Sequence, residues 1–172
     1  MEARMNRKAR MSQIISKRFS AFTFLLTVAL VFASCNRNAI YSHYESTAID
    51  GWGWEHGDSI GFSIPPVSEE GLYSEEVGVR TSGTFPFREL VLLVHHTVMP
   101  DGRNWTDTVD VDIVGEDGSP KGNGLSFVHH SKVMPNVFLN KGDSLHVSIS
   151  HFMRHENLPG VSDVGITLRR IK

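Results

Sequence analysis

The stretch that most limits the fold is "RELVLLVHHTVMPDGRNWTDTVDVDIV", residues 88–114. An apolar run meets Asp101-Gly102, a dipeptide suited to a tight hairpin turn. A segment of strict alternation follows. Trp105, Asp107, Val109, Val111 and Ile113 fall on one face, and Thr106, Thr108, Asp110 and Asp112 on the other. A period of two is the period of a strand, so two antiparallel neighbours are predicted. Asp107 is the exception on its apolar face. Similar segments recur at 58–64, stopped by Pro65-Pro66, and at 76–82, 125–133, 144–153 and 163–171. Turn clusters separate them: "GEDGSPKGNG", "NKGD" and "NLPG". Helical periodicity is almost absent from this part of the chain. Seven to nine short strands at this spacing predict an all-β fold, a single β-sandwich of jelly-roll or immunoglobulin-like type.

The N-terminus is of another kind. Arg4, Arg7, Lys8, Arg10, Lys17 and Arg18 precede "AFTFLLTVALVFA", which carries no charge and ends at Ala33. Basic region, apolar region and small residues make a signal peptide. The apolar run is shorter than the roughly 20 residues a spanning helix needs. It closes on "FASC", which resembles a bacterial lipobox, and Cys35 is the sole cysteine. A lone cysteine cannot close an internal disulfide. Acyl chains on its thiol would each contribute about 0.8 kcal/mol per buried CH₂, enough for stable anchoring when two or three are present. The expected organisation is a lipoprotein signal peptide over 1–34, a lipidated cysteine and tether over 35–44, and the sandwich over 45–172.

Six of the 17 Lys and Arg, and one of the 19 Asp and Glu, lie ahead of Cys35, which leaves 11 basic against 18 acidic residues. A mature net charge near −7 disfavours nucleic acid or an anionic lipid surface as a partner. The membrane link is then the lipid on Cys35.

The candidate sites are thin. The pairs His95-His96 and His129-His130 invite a metal, but neighbours on a strand point to opposite faces. His146 and His151 face opposite sides for the same reason, and no HExxH spacing exists. No metal or cofactor is therefore expected. No G-x-S-x-G occurs, and Asp110 and Asp112 lie on a solvated strand face. The loop at 116–124 lacks the calcium-loop order of ligands. "GWGWEHGD" places Trp52 and Trp54 two apart between glycines, on one face of an extended segment. They either plug the core or offer a binding surface for a sugar ring or a partner.

Several segments together resemble one family. They are "IYSHYESTAIDGW", "VRTSGTFPFRELVLLV", "PDGRNWTDTVDVDI", "SPKGNGL" and the closing "HFMRHENLPGVSDVGITL". In this order they are similar to the gliding motility lipoprotein GldH family of Bacteroidota. The resemblance spans nearly all of the mature chain. It implies a non-enzymatic lipoprotein found alongside gliding and type IX secretion machinery, with other envelope proteins as partners. It carries over one functional residue, the lipidated Cys35. It implies the outer membrane, and with no acid between Cys35 and Glu45 to resemble a surface-export signal, the domain is expected to face the periplasm. The alternative is a carbohydrate- or peptidoglycan-binding module using Trp52 and Trp54.

Overall fold

The computed structural model describes residues 39–47 and 53–171. The signal peptide, Cys35 and Trp52 lie outside the described residues. Among the described residues, eleven strands are formed: β1 Ala39–Ser46, β2 Trp54–Glu55, β3 Ile60–Ile64, β4 Gly71–Ser82, β5 Glu89–Met99, β6 Asn104–Asp112, β7 Phe127–Val133, β8 Val137–Leu139, β9 Ser144–His151, β10 Asn157–Leu158 and β11 Val161–Arg170. One sheet has the order β1-β11-β4-β7, with β8 continuing the β7 edge along the start of β4. The other has the order β3-β9-β5-β6, and β2 pairs only with β10. Every pairing is antiparallel. The eight long strands pass back and forth between the two sheets in the order of a jelly roll. This architecture satisfies the strand count expected from sequence and selects between the two sandwich types.

Alternation explains the core. β5 turns Leu90, Leu92, Val94, His96 and Val98 inward, all fully buried. β9, in the same sheet, contributes Leu145, Val147 and Ile149. From the facing sheet β11 contributes Val164, Ile166 and Leu168, and β4 adds Tyr73, Val77 and Val79. Apolar side chains of this size contribute about 1.5–3 kcal/mol each when fully buried, so the two inner faces define the structure. The hairpin expected at Asp101-Gly102 forms. β5 and β6 are neighbours from Glu89↔Asp112 to Thr97↔Asn104, and Gly102 takes a φ of 73° that a side chain would strain.

The outer face of the first sheet carries a groove of glycines. Tyr44 on β1 lies opposite Gly165, which lies opposite Gly78. The Tyr44 ring crosses both and its hydroxyl reaches His129 on β7, 2.7 Å away. A Cβ on Gly78 would stand 1.9 Å from the Tyr44 oxygen, and one on Gly165 would stand 2.5 Å from its ring. The Arg80 guanidinium covers the ring at 4.6 Å from its centroid. One aromatic thus spans the four-strand layer where two residues have no side chain, a known way to protect glycines in a sheet.

Three expectations are corrected. The segment assigned to a tether over 35–44 contains the start of a strand, because β1 begins at Ala39 rather than at 45. β1 is an edge strand with a bulge between Ala39 and Tyr41, so only one neighbour constrains it and its sequence does not alternate cleanly. The strand read at 76–82 reaches back to Gly71, through the polar stretch "SEE". Trp54, read from the sequence as either core or half of a binding surface, is fully buried in the core, which removes the second alternative. Its indole plugs the end of the sandwich closed by β2 and β10, and its Nε1–H donates to the Asp58 carbonyl at 3.3 Å.

Candidate functional site

Glu75 on β4 and His96 on β5 both point inward, from opposite sheets, and are 1% and 0% exposed. His96 Nε2 lies 3.0 and 3.1 Å from the two Glu75 oxygens. The Trp105 indole stacks on the His96 ring, with centroids 4.6 Å apart and planes within 8°. Trp105 Nε1–H donates to Asp107 at 3.0 Å, and the same carboxylate stands 3.8 Å from His96 Nδ1. Asp107, the polar exception in the β6 alternation, is thereby explained. It closes the open side of a polar cluster that joins the two sheets through the core. Enclosed imidazole and carboxylate cannot reach a substrate, so this cluster acts as a cross-sheet tie.

A second cluster fills the end beneath β2. His151, on the inward face of β9, meets Trp54 edge to face at 5.4 Å and His56 at 5.2 Å. Its Nδ1 accepts from the Met153 amide at 3.4 Å. Burial, then the nearby His56 charge, pushes the His151 imidazole below its ordinary value of 6.5. Burial does the same to His130, whose Nε2 pairs with the Thr81 hydroxyl at 3.0 Å. A histidine held below its unfolded value binds fewer protons when folded, so stability is present above about pH 6.5 and lost as pH falls below it. Urea midpoints are therefore expected to drop between about pH 7.5 and 5.5, and His151→Leu is expected to flatten part of that decline. Equal slopes for wild type and variant would contradict the assignment.

The described surface offers a polar cleft where the edge of β6 approaches β7. Asp112, Lys121, Asn123, His129, Ser131 and Lys132 line about 260 Å³ of it. It adjoins a second cleft of about 360 Å³ bounded by Arg88, Glu89 and Glu116. Lys121 Nζ stands 3.6 Å from Asp112 between the two. The loop above is self-bonded: the Asp117 carboxylate accepts from the Ser119 hydroxyl at 2.6 Å and from its amide at 3.0 Å. Those bonds hold Asp117 below the usual carboxylate range. Among the described residues, no group of three or more His, Cys, Asp or Glu is placed to hold a metal ion.

Large apolar side chains also stand exposed. Phe127 and Val133 open and close β7 on the outer face of its sheet, and Leu125 lies in the loop just before it. Ile40, Leu72, Met99, Phe138 and Ile171 are at the end where β1 begins. None of these positions was singled out in the sequence, where an exposed apolar residue at the end of a strand reads like a buried one. His95 and His146 face solvent while His96 and His151 face inward, as the strand period requires.

Fold and surface together define a jelly-roll domain whose open features are a polar cleft and two apolar margins. Residues 39–168 match the family model described as GldH lipoprotein, and the chain belongs to that family. It is similar to the gliding motility lipoprotein GldH homolog of Christiangramia forsetii, 28% identical over 162 residues that cover 88% of this chain and 96% of the relative. It is also similar to gliding motility lipoprotein GldH of Flavobacterium johnsoniae, 26% identical over 153 residues that cover 85% and 94% of the two chains. Among solved structures, a family 35 carbohydrate binding module from Clostridium thermocellum overlaps with a TM-score of 0.39 at 11% identity, over 76% of this chain and 90% of that one. No argument about function rests on an overlap that weak.

Proposed function

We propose that this protein is a lipid-anchored, non-enzymatic envelope component that works by contact with other envelope proteins, in connection with gliding or type IX secretion. Membership of a lipoprotein family and the "FASC" sequence support the anchor at Cys35. The observation that carries the contact role is the margin at β7. There Phe127 and Val133 stand in solvent on an otherwise polar outer face, and Leu125 stands fully exposed in the loop just before the strand. Exposed apolar groups on and beside a solvated sheet face are characteristic of surfaces that meet a partner. The anchor holds the domain at the outer membrane, facing the periplasm, in this reading; the absence of acid between Cys35 and Glu45 supports that side. Replacing Leu125 and Phe127 together with serine is expected to change stability by only about 0.5 kcal/mol. The same pair is expected to reduce capture of envelope proteins from crosslinked native membranes about tenfold. Undiminished capture would sink the contact role.

A second reading is a carbohydrate- or peptidoglycan-binding module. The cleft at Asp112, Lys121 and Asn123 favours it, because carboxylate, ammonium and amide groups suit sugar hydroxyls. Glycan binding that disappears on Asp112→Ala with Asn123→Ala would select this reading.

A further inference from the structure

The structure also indicates how the domain stands on its membrane. The strand β1 begins at Ala39, four residues beyond Cys35. Four residues span at most about 14 Å of extended chain, so the end of the sandwich that carries Ala39 cannot stand far from a lipid on Cys35. That end has a distinct surface. Leu72 and Phe138 are cross-strand neighbours on β4 and β8. The Ile171 amide donates to the Leu72 carbonyl at 2.9 Å, which brings the end of β11 to the same place. Arg103 Nη2 donates to the Phe138 carbonyl at 3.0 Å, which draws in the turn after Met99. Ile40 completes the set, beside an apolar groove of about 260 Å³ walled by Pro65, Pro66 and Tyr73.

Five of the exposed large apolar side chains, Ile40, Leu72, Met99, Phe138 and Ile171, therefore share one end, each between 40% and 48% exposed. Half-exposed residues of this kind rim the end, with Leu72 and Phe138 on the outer face of one sheet and Met99 on the outer face of the other. Several charges around them are paired: Arg170 with Glu69, Arg169 with Glu76, and Arg103 with Asp101. Exposed Glu70 and Lys141 add one charge of each sign, so the end carries both signs rather than a single-sign patch.

We propose that this apolar end is a membrane seat, on which the domain rests against the bilayer that holds its own anchor, with β4 rising away from it. The inference rests on lipidation of Cys35. A lone acyl group leaves a domain free to tumble at the end of its tether, whereas a tether this short together with an apolar rim fixes one orientation. β4 is 12 residues long, about 40 Å at the rise of a strand. The opposite end, with Leu125, then stands clear of the headgroups and open to partners.

The test uses the full lipidated chain in zwitterionic vesicles of phosphatidylethanolamine and phosphatidylcholine, so that the acidic net charge does not decide the result. Phe138→Cys, Leu72→Cys and Leu125→Cys are each labelled with a small thiol-reactive fluorophore, Cys35 being blocked by its lipid. Vesicle flotation is read first, then quenching by iodide in the water phase. The seat predicts that all three proteins float. It also predicts quenching at 138 and 72 lower than at 125 by about threefold or more. Floating proteins quenched equally at the three positions would overturn the seat and leave the anchor standing. Proteins that fail to float would overturn the anchor, and the seat with it.

Discussion

The Cys35→Ala chain is expected to lose fatty-acid labelling altogether and to move from the membrane to the soluble fraction. The reason is chemical: Cys35 carries the one thiol in the sequence, and a thioether to diacylglycerol has no other site. An acyl chain contributes about 0.8 kcal/mol for each buried CH₂, so two or three chains hold a protein on a bilayer for long periods. The five apolar residues of the seat cannot substitute for that, because each is half covered by the sandwich already. They orient an anchored domain without holding a free one. Feeding cells an alkyne-tagged palmitate and fractionating them checks both parts. A Cys35→Ala chain that still takes up label, or still floats with membranes, would contradict the anchor.

Removing Glu75 is expected to destabilise the folded domain by about 3–5 kcal/mol, because breaking a buried pair leaves the other member uncompensated. Glu75→Ala strands His96 in the core with its Nε2 unbonded, and takes away the bond that joins β4 to β5 across the sandwich. In a domain of this size that loss is expected to lower Tm by roughly 10–15 °C. The double variant Glu75→Leu with His96→Leu provides the control. It replaces both buried partners with apolar groups, and Asp107, partly exposed, keeps its bond to Trp105; stability close to wild type is expected, since such replacements are often neutral or better. Urea unfolding with an unchanged m value distinguishes lost stability from altered compactness. If Glu75→Ala cost less than about 1 kcal/mol, the tie would be incidental.

That pair also marks the limit of what could be read from the sequence. Strands β6 and β9 were legible because each buries one face and alternates, β5 as a long apolar run ending at a turn signal, and β11 from its apolar alternation; Val109, Val111, Leu145, Val147, Val164 and Ile166 all face inward as the period of two demands. The first half of β4 was not, because Glu75 occupies an inward position and breaks the apolar pattern. Its partner was hidden too: His96 sits in an apolar strand, and only three-dimensional pairing shows a carboxylate opposite it. The visible hint was Asp107, a charge on an apolar face, which marks the edge of the same cluster. β2, β8 and β10 are two or three residues long, too short for any period. Of the candidate binding surface, Trp54 proved to be core, since a tryptophan between glycines reads alike whether it faces solvent or plugs an end. The β7 margin and the seat depend on which ends of strands meet, which no local pattern records.

The most direct measurement of the contact role is a photo-crosslinker placed at Phe127 in the full chain, in living cells. The account predicts discrete adducts with envelope proteins from that position, no such adducts from position 108 on the outer face of β6, and their loss when Cys35→Ala releases the chain from the membrane. Adducts as frequent from 108 as from 127, or none from either position, would contradict it.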